Sequence, residues 1–341
     1  MIKVFDFFSG CGGTSLGFQN FGFEIIGALD FDKDSAETFR KNFPNAAFIE
    51  ADIRKVKAED LSNIVTKKRT IPLLFCGCAP CQPFSGQRRQ IKENDARKTL
   101  LSEFQRFVEF WKPDYIFLEN VPGLQNIDKS DGAFKKFTNS LKRMGYNFNT
   151  SVVKASDIGV PQVRKRFILT AALGKRRIKP IESIVEKYKN YTPTVKDTIF
   201  NLPEIAAGET HSTIANHSSA KLSPQNILRI KNTPEGGDRR HWPKHLTAGC
   251  HQNYKGHTDV YGRMKWDAPA STLTTKCISY SNGRFGHPEQ NRAISVREAA
   301  RLQTFPDNFI FYGSLFSCAR QVGNAVPPLM AERISESFIQ N

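Results

Sequence analysis

No apolar run in this 341-residue chain approaches the ~20 residues that a membrane-spanning helix needs, and no charged-then-apolar leader with a small-residue cleavage site opens it. A protein of the cytoplasm, away from any membrane, is expected. Acidic residues are scarce: 33 Asp and Glu stand against 49 Lys and Arg, a formal net charge of +16. That balance points to a polyanionic partner, most often nucleic acid. Cysteine is sparse and uneven, with three of the seven residues at 76, 78 and 81, which fits a reducing compartment better than a disulfide framework. There is no G-x-x-x-x-G-K-[ST] phosphate loop, no internal repeat and no low-complexity segment. His241, His245, Cys250, His251 and His257 invite a zinc site, but their spacing matches no standard finger, so no metal is expected.

The chain does have short apolar runs that end in polar groups. Residues 2–8 read as a buried strand opening into Ser9-Gly10-Cys11-Gly12-Gly13-Thr14, with a helix after it. Strand, glycine turn and helix is where α/β folds bring backbone close to a nucleotide. The dinucleotide fingerprint fails at its last glycine, where Ser15 stands, so a nucleoside cofactor without a cradled phosphate chain is the better expectation. A second strand, 24–29, ends in Asp30-Phe31-Asp32, twenty residues after Gly10. Asp30 is placed to accept from ribose hydroxyls and Phe31 to lie along ribose or base. A third strand, 47–49, ends near Asp52, which could accept from a purine's exocyclic amine or simply cap a helix.

The run 71–75 leads into Cys76-Gly77-Cys78-Ala79-Pro80-Cys81-Gln82-Pro83. Pro80 and Pro83 rule out a continuing strand or helix and predict a rigid turn. Cys81 then becomes a candidate nucleophile, with Arg88 and Arg89 nearby to favour its thiolate. Cys78 and Cys81 read instead as a redox pair, half a zinc site or buried thiols. Residues 86–98 form a basic loop, 99–111 a helix, and 115–118 a strand ending at Glu119, either a proton donor or a structural carboxylate. Arg164 and Arg166 alternate at the start of another strand, and their guanidinium forks suit carbonyl oxygen or phosphate. From 174 the strands fade and aromatic and basic residues interleave to about 291, fitting a surface for phosphates and bases. Ser295 and Glu298 form a capping box, and Pro327 and Pro328 suit the start of a last helix over 329–339.

In this order the segments resemble the DNA (cytosine-5) methyltransferases of bacterial restriction–modification systems. The matching stretches are Asp6-Phe7-Phe8-Ser9-Gly10-Cys11-Gly12-Gly13, Pro80-Cys81-Gln82, Glu119-Asn120-Val121, Gln162-Val163-Arg164-Lys165-Arg166, Arg297 through Gln303, and Gln321-Val322-Gly323-Asn324. The resemblance implies an α/β fold: the Rossmann-like, S-adenosylmethionine-dependent methyltransferase sheet, mixed but mostly parallel, with helices on both faces and a smaller loop-rich target-recognition domain. Its domains would be 1–175 completed by 318–341 for catalysis and cofactor, 176–291 for target recognition, and 292–317 as a hinge. S-adenosyl-L-methionine would be the cofactor, held by Phe8, Gly10, Cys11, Gly12, Gly13, Asp30, Phe31, Asp52, Ile53, Pro80, Leu100, Asn324 and Val326. Cys81, Glu119, Arg164 and Arg166 would be catalytic. Double-stranded DNA would be the partner, met by Gln82, Ser85, Arg88, Arg89, Arg97, Thr272 and Leu273. A monomer in the bacterial cytoplasm or nucleoid is implied, with no obligate protein partner and a cognate endonuclease acting separately. Lys98 departs from the pattern, standing where relatives often have glycine at the hinge of the basic loop.

Overall fold

The computed structural model describes residues 1–79, 100–123, 132–249, 256 and 258–339. Pro80, Cys81, Gln82, Ser85, Arg88, Arg89 and Arg97 lie outside the described residues, as do Cys250, His251 and His257. The chain divides into two compact units: 1–158 with 165–190 and 326–341, and 159–164 with 191–325.

The first unit alternates strand and helix: β1 (Lys3–Phe7), α1 (Gly13–Asn20), β2 (Glu24–Asp30), α2 (Lys33–Asn42), β3 (Ala47–Glu50), β4 (Leu73–Gly77), α3 (Leu100–Trp111) and β5 (Tyr115–Asn120). Then come α4 (Ala133–Arg143), β6 (Tyr146–Lys154), β7 (Lys165–Leu173) and α5 (Ile181–Tyr188). The seven strands lie in the order β3-β2-β1-β4-β5-β7-β6. Those up to β5 are parallel, and β7 runs antiparallel to both β5 and β6. This is the mixed, mostly parallel sheet expected. The order reverses direction between β1 and β4, and in such sheets ligands bind outside the carboxyl ends at that point.

Successive strand side chains face opposite sides, which locates the helices. Phe7 packs edge-on against Phe104 and beside Phe107 of α3, whereas Asp6, one residue earlier, meets Ser15 of α1. Helices α1 and α3 therefore cover opposite faces. The α3 face is an aromatic core in which Phe5, Phe7, Phe75, Phe104 and Phe107 are all fully buried. On the other face α1 is crossed by the terminal helix Pro328–Ile334 so closely that a Cβ on Gly17 would lie 2.2 Å from the Pro328 carbonyl oxygen.

The second unit has no strand among its described residues, only isolated bridges joining irregular segments. Its polar core substitutes for a sheet ladder. Arg292 makes two 2.7 Å contacts with Glu298, whose carboxylate also closes the Ser295 capping box. Arg297, fully buried, donates to the carbonyls of Ala215, Pro306 and Phe309. These bonds group residues 292–317, read from sequence as a hinge, with the second compact unit, and the first unit resumes at 326 rather than 318. Among the described residues no helix is long and apolar enough to cross a membrane.

Candidate active site

The glycine turn follows β1 directly. Phe8, Gly10 and Gly12 all have left-handed backbone, at φ of 59°, 53° and 97°. Glycine adopts that region freely and phenylalanine does so at a cost, so the turn is held by its surroundings. Gly10 N–H donates to Asp30 Oδ2 at 2.8 Å, while Asp30 Oδ1 accepts from Asp32 N–H at 2.9 Å. One carboxylate thus ties the ends of β1 and β2 together, and burial pushes its pKa up. A Cβ on Gly10 would meet nothing within 4 Å, so the turn borders open space; one on Gly12 would strike the Phe43 ring. Cys11 is buried at the turn.

Phe31 is 69% exposed, a large aromatic ring left uncovered beside Asp30. Asp52 caps the short 3-10 helix Ile53–Lys55, accepting from Arg54 N–H, and forms an ion pair with the Arg54 guanidinium that lowers its pKa. The capping role weighed against ligand binding in the sequence is therefore occupied, although a carboxylate retains lone pairs for a further donor. Ile53 is buried beneath it. Leu100 opens α3 and packs against the aromatic core. Asn324 is exposed at the end of the helix Leu315–Asn324, and Val326 is buried.

The chain leading into Cys81 is anchored from three sides. Cys78 N–H donates to the Phe7 carbonyl at 3.4 Å, its Sγ lies 3.6 Å from Thr14 Oγ1, and Asn120 Nδ2 donates to the Ala79 carbonyl at 3.3 Å. Asn120 lies inside a matched segment but carried no predicted role. Its anchoring role depends on the pairing of β4 with β5. Cys76 and Cys78 sulfurs are 3.8 Å apart, and both pKa values are raised, Cys76 chiefly by burial. Among the described residues no three metal-ligating side chains cluster.

Glu119 and Arg166 meet across β5 and β7. Glu119 sits opposite Ile168, so Arg166, two residues back on β7, is its diagonal neighbour on the same face. Arg166 Nε lies 2.6 Å from Glu119 Oε1, with both side chains mostly buried. The contact is an ion pair whose N–H is not aligned for a hydrogen bond, since Oε1 has no hydrogen-bond partner among the described residues. A buried carboxylate oxygen beside a guanidinium, still short of a donor, is ready for a ligand N–H.

Arg164 has a different setting from Arg166. It is buried in the second unit and donates to the carbonyls of Leu273 and Gly323 at 3.1 and 3.2 Å. Gln162 accepts from Leu273 N–H at 2.9 Å and donates to Gln303 at 2.6 Å, and Gln303 donates on to the Val322 and Ala325 carbonyls. Buried Leu273, next to Thr272, is thus tied to residues of three matched segments. The sequence showed the motifs; their bonding to one another needed the fold.

The family model for C-5 cytosine-specific DNA methylase matches residues 2–340. The chain is 38% identical over 342 residues to the type II methylase M.HgiDII of Herpetosiphon aurantiacus, covering 98% of this chain and 94% of that one. It is 33% identical over 341 residues to the type II methyltransferase M1.HphI of Haemophilus parahaemolyticus, covering 99% and 87%. Among solved structures it superposes on a DNA modification methyltransferase encoded within an Escherichia coli prophage with a TM-score of 0.78 at 25% identity, covering 99% and 98% of the two chains. The sheet order, the glycine turn and these matches agree, and the chain belongs to the C-5 cytosine-specific DNA methylase family.

Proposed function

We propose that this cytosine-5 DNA methyltransferase is the modification half of a type II restriction–modification system and methylates one cytosine within a short duplex sequence. The observation that carries the reading is the Glu119–Arg166 pair, an acceptor and a cation presented together at the carboxyl end of β5 in a methyltransferase sheet. S-adenosyl-L-methionine fits the glycine turn after β1: open space at Gly10, an exposed ring at Phe31 and carboxylates at the ends of β2 and β3 suit a nucleoside. When bound it supplies an electrophilic methyl group.

Carbon 5 of cytosine is too weak a nucleophile to take that methyl unaided. Cys81 thiolate therefore adds to carbon 6. Glu119 holds N3 and the exocyclic amine and delivers the proton that lets charge gather at carbon 5. Arg166 binds the O2 carbonyl, while Arg164 fixes the backbone of Leu273. Loss of the carbon-5 proton then expels Cys81 and restores the ring. A base inside a duplex exposes none of these atoms, so the cytosine is flipped out, at a cost of a few kcal/mol.

The excess positive charge supports duplex DNA as the partner. The basic stretch around Arg88, Arg89 and Arg97, with Gln82 and Ser85, contacts the DNA, and the second unit reads the target sequence. The protein acts as a monomer in the bacterial cytoplasm, and an endonuclease cutting the same site works separately. Incubation with S-adenosylmethionine and unmethylated genomic DNA, followed by bisulfite sequencing, tests the proposal. One protected cytosine in a recurring short sequence is expected; none protected, with cofactor binding verified separately, overturns it.

A further inference from the structure

One buried acid takes no part in this mechanism. Asp6 lies in the middle of β1 with no exposed surface, on the face covered by α1. Its Oδ2 accepts from Ser15 Oγ at 2.7 Å, and its Oδ1 makes no hydrogen bond among the described residues. Among the described residues no cation offsets it. α1 carries no charged residue, β4 brings the Cys76 thiol, which hydrogen-bonds with Asp6, the residue after β4 brings the Cys78 thiol, and β2 brings a second acid, Asp30. On the terminal helix, Glu332 is bonded to Asn20 and Arg333 to the Ile158 carbonyl. Burial accordingly pushes the Asp6 pKa up to about 7, so near neutrality the acid gains or loses a proton at little cost.

Its partner on α1, Ser15, stands in the first turn of that helix, directly after the glycine turn assigned to the cofactor. The methyl donor carries a sulfonium cation, and the product left after transfer is a neutral thioether. A positive charge brought to a dry site favours the ionised form of a nearby acid, and a neutral ligand does not.

We propose that Asp6 is a positioning residue that reads the charge of the bound cofactor, releasing its proton to solvent when the sulfonium donor binds and recovering one when the thioether product remains. The inference rests on the cofactor reading above. Its consequence is selectivity: the affinity ratio of donor to product rises as the pH passes through neutrality, which helps the spent product to leave.

Calorimetric titration of the full chain at pH 7 with S-adenosylmethionine and then S-adenosylhomocysteine, each in phosphate and in Tris, counts protons exchanged on binding. Wild type is expected to release a fraction of a proton more for the donor than Asp6→Asn does, with no such difference for the product. The ligands' own ionisations are common to both proteins and subtract out. The donor-to-product affinity ratio should also rise about threefold to tenfold between pH 6 and 8 in wild type only. Equal proton counts in wild type and variant, or an unchanged ratio, overturn the role of Asp6. Absence of binding by either ligand overturns the cofactor reading instead. Asp6→Ser removes the same acid and replaces the Asn variant should that one fail to fold.

Discussion

Glu119 and Arg166 show how two residues of modest individual signal become a site once their strands pair. Antiparallel pairing of β5 with β7 puts them on one face, and burial makes their contact matter more than a surface ion pair would. Glu119→Gln keeps the shape but cannot deliver a proton, so kcat should fall by about 10²- to 10⁴-fold while DNA affinity in a gel-shift assay stays close to wild type. Arg166→Lys should also cost kcat, because an ammonium cannot reproduce the planar fork. For Cys81 the expectation rests on chemistry alone: Cys81→Ser should abolish transfer of labelled methyl and leave DNA binding intact. Substantial turnover in that variant would remove Cys81 as the nucleophile.

At the scale of elements, α1 depends on the close approach of the terminal helix. A methyl group on Gly17 would lie 2.2 Å from the Pro328 carbonyl and 2.6 Å from the Ala331 Cβ, and neither can retreat without moving its helix. Gly17→Ala should destabilise by about 1–3 kcal/mol, seen as a lower thermal midpoint, despite alanine's better helix propensity. Because α1 starts at the turn proposed for the cofactor, the same variant should weaken S-adenosylmethionine binding in calorimetry. In the second unit, Gly323 has the equivalent place, where a Cβ would lie 2.1 Å from the Thr274 carbonyl. That glycine lets the helix Leu315–Asn324 lie directly against the Thr272-Leu273 segment.

For the whole molecule two global properties follow. The first is acid sensitivity. His287 is buried beside Arg263, Arg292 and Glu298, and burial lowers its pKa to about 4. The unfolded chain binds a proton there near pH 6.5 and the folded chain does not, so stability is lost as pH falls from 6.5 towards 4. Between pH 6.5 and 4.5 wild type should lose on the order of 2–3 kcal/mol more than His287→Gln in urea unfolding. The second is salt sensitivity. With a net charge of +16, DNA affinity should fall steeply with salt, by about 10³-fold or more between 50 and 200 mM if six or more phosphates are neutralised. A flat dependence in a fluorescence-anisotropy titration would contradict the backbone contacts proposed for the basic loop.

Much of the first unit was legible in the sequence because its signals are local. Dense apolar runs of strand length, a glycine turn and proline stops are properties of neighbouring residues, and β1, β2, β4, β5, β6 and α3 appear within a few residues of where those signals put them. The capping box at Ser295 and Glu298 is local in the same way and is present. Helix α2 was not foreseen: Lys33–Asn42 is polar with few apolar anchors, and its start is set by the Asp32 cap. The helix Leu315–Asn324 was missed because its periodicity is masked by small and polar residues that pack in the second unit.

What the residues determined by themselves was chemistry, namely which groups could act as nucleophile, acid, cation or cofactor cradle. Only tertiary structure decided which of those groups meet. Arg164 and Arg166 are two residues apart, yet one holds backbone carbonyls and the other faces Glu119. Asp6 looked like one more residue of a strand until burial, with no cation beside it among the described residues, made it an acid poised near neutrality. The physical reason is common to both cases. A side chain's reactivity is set by desolvation and by partners brought from 9 to more than 100 residues away, as with Ser15 for Asp6 and Leu273 for Arg164.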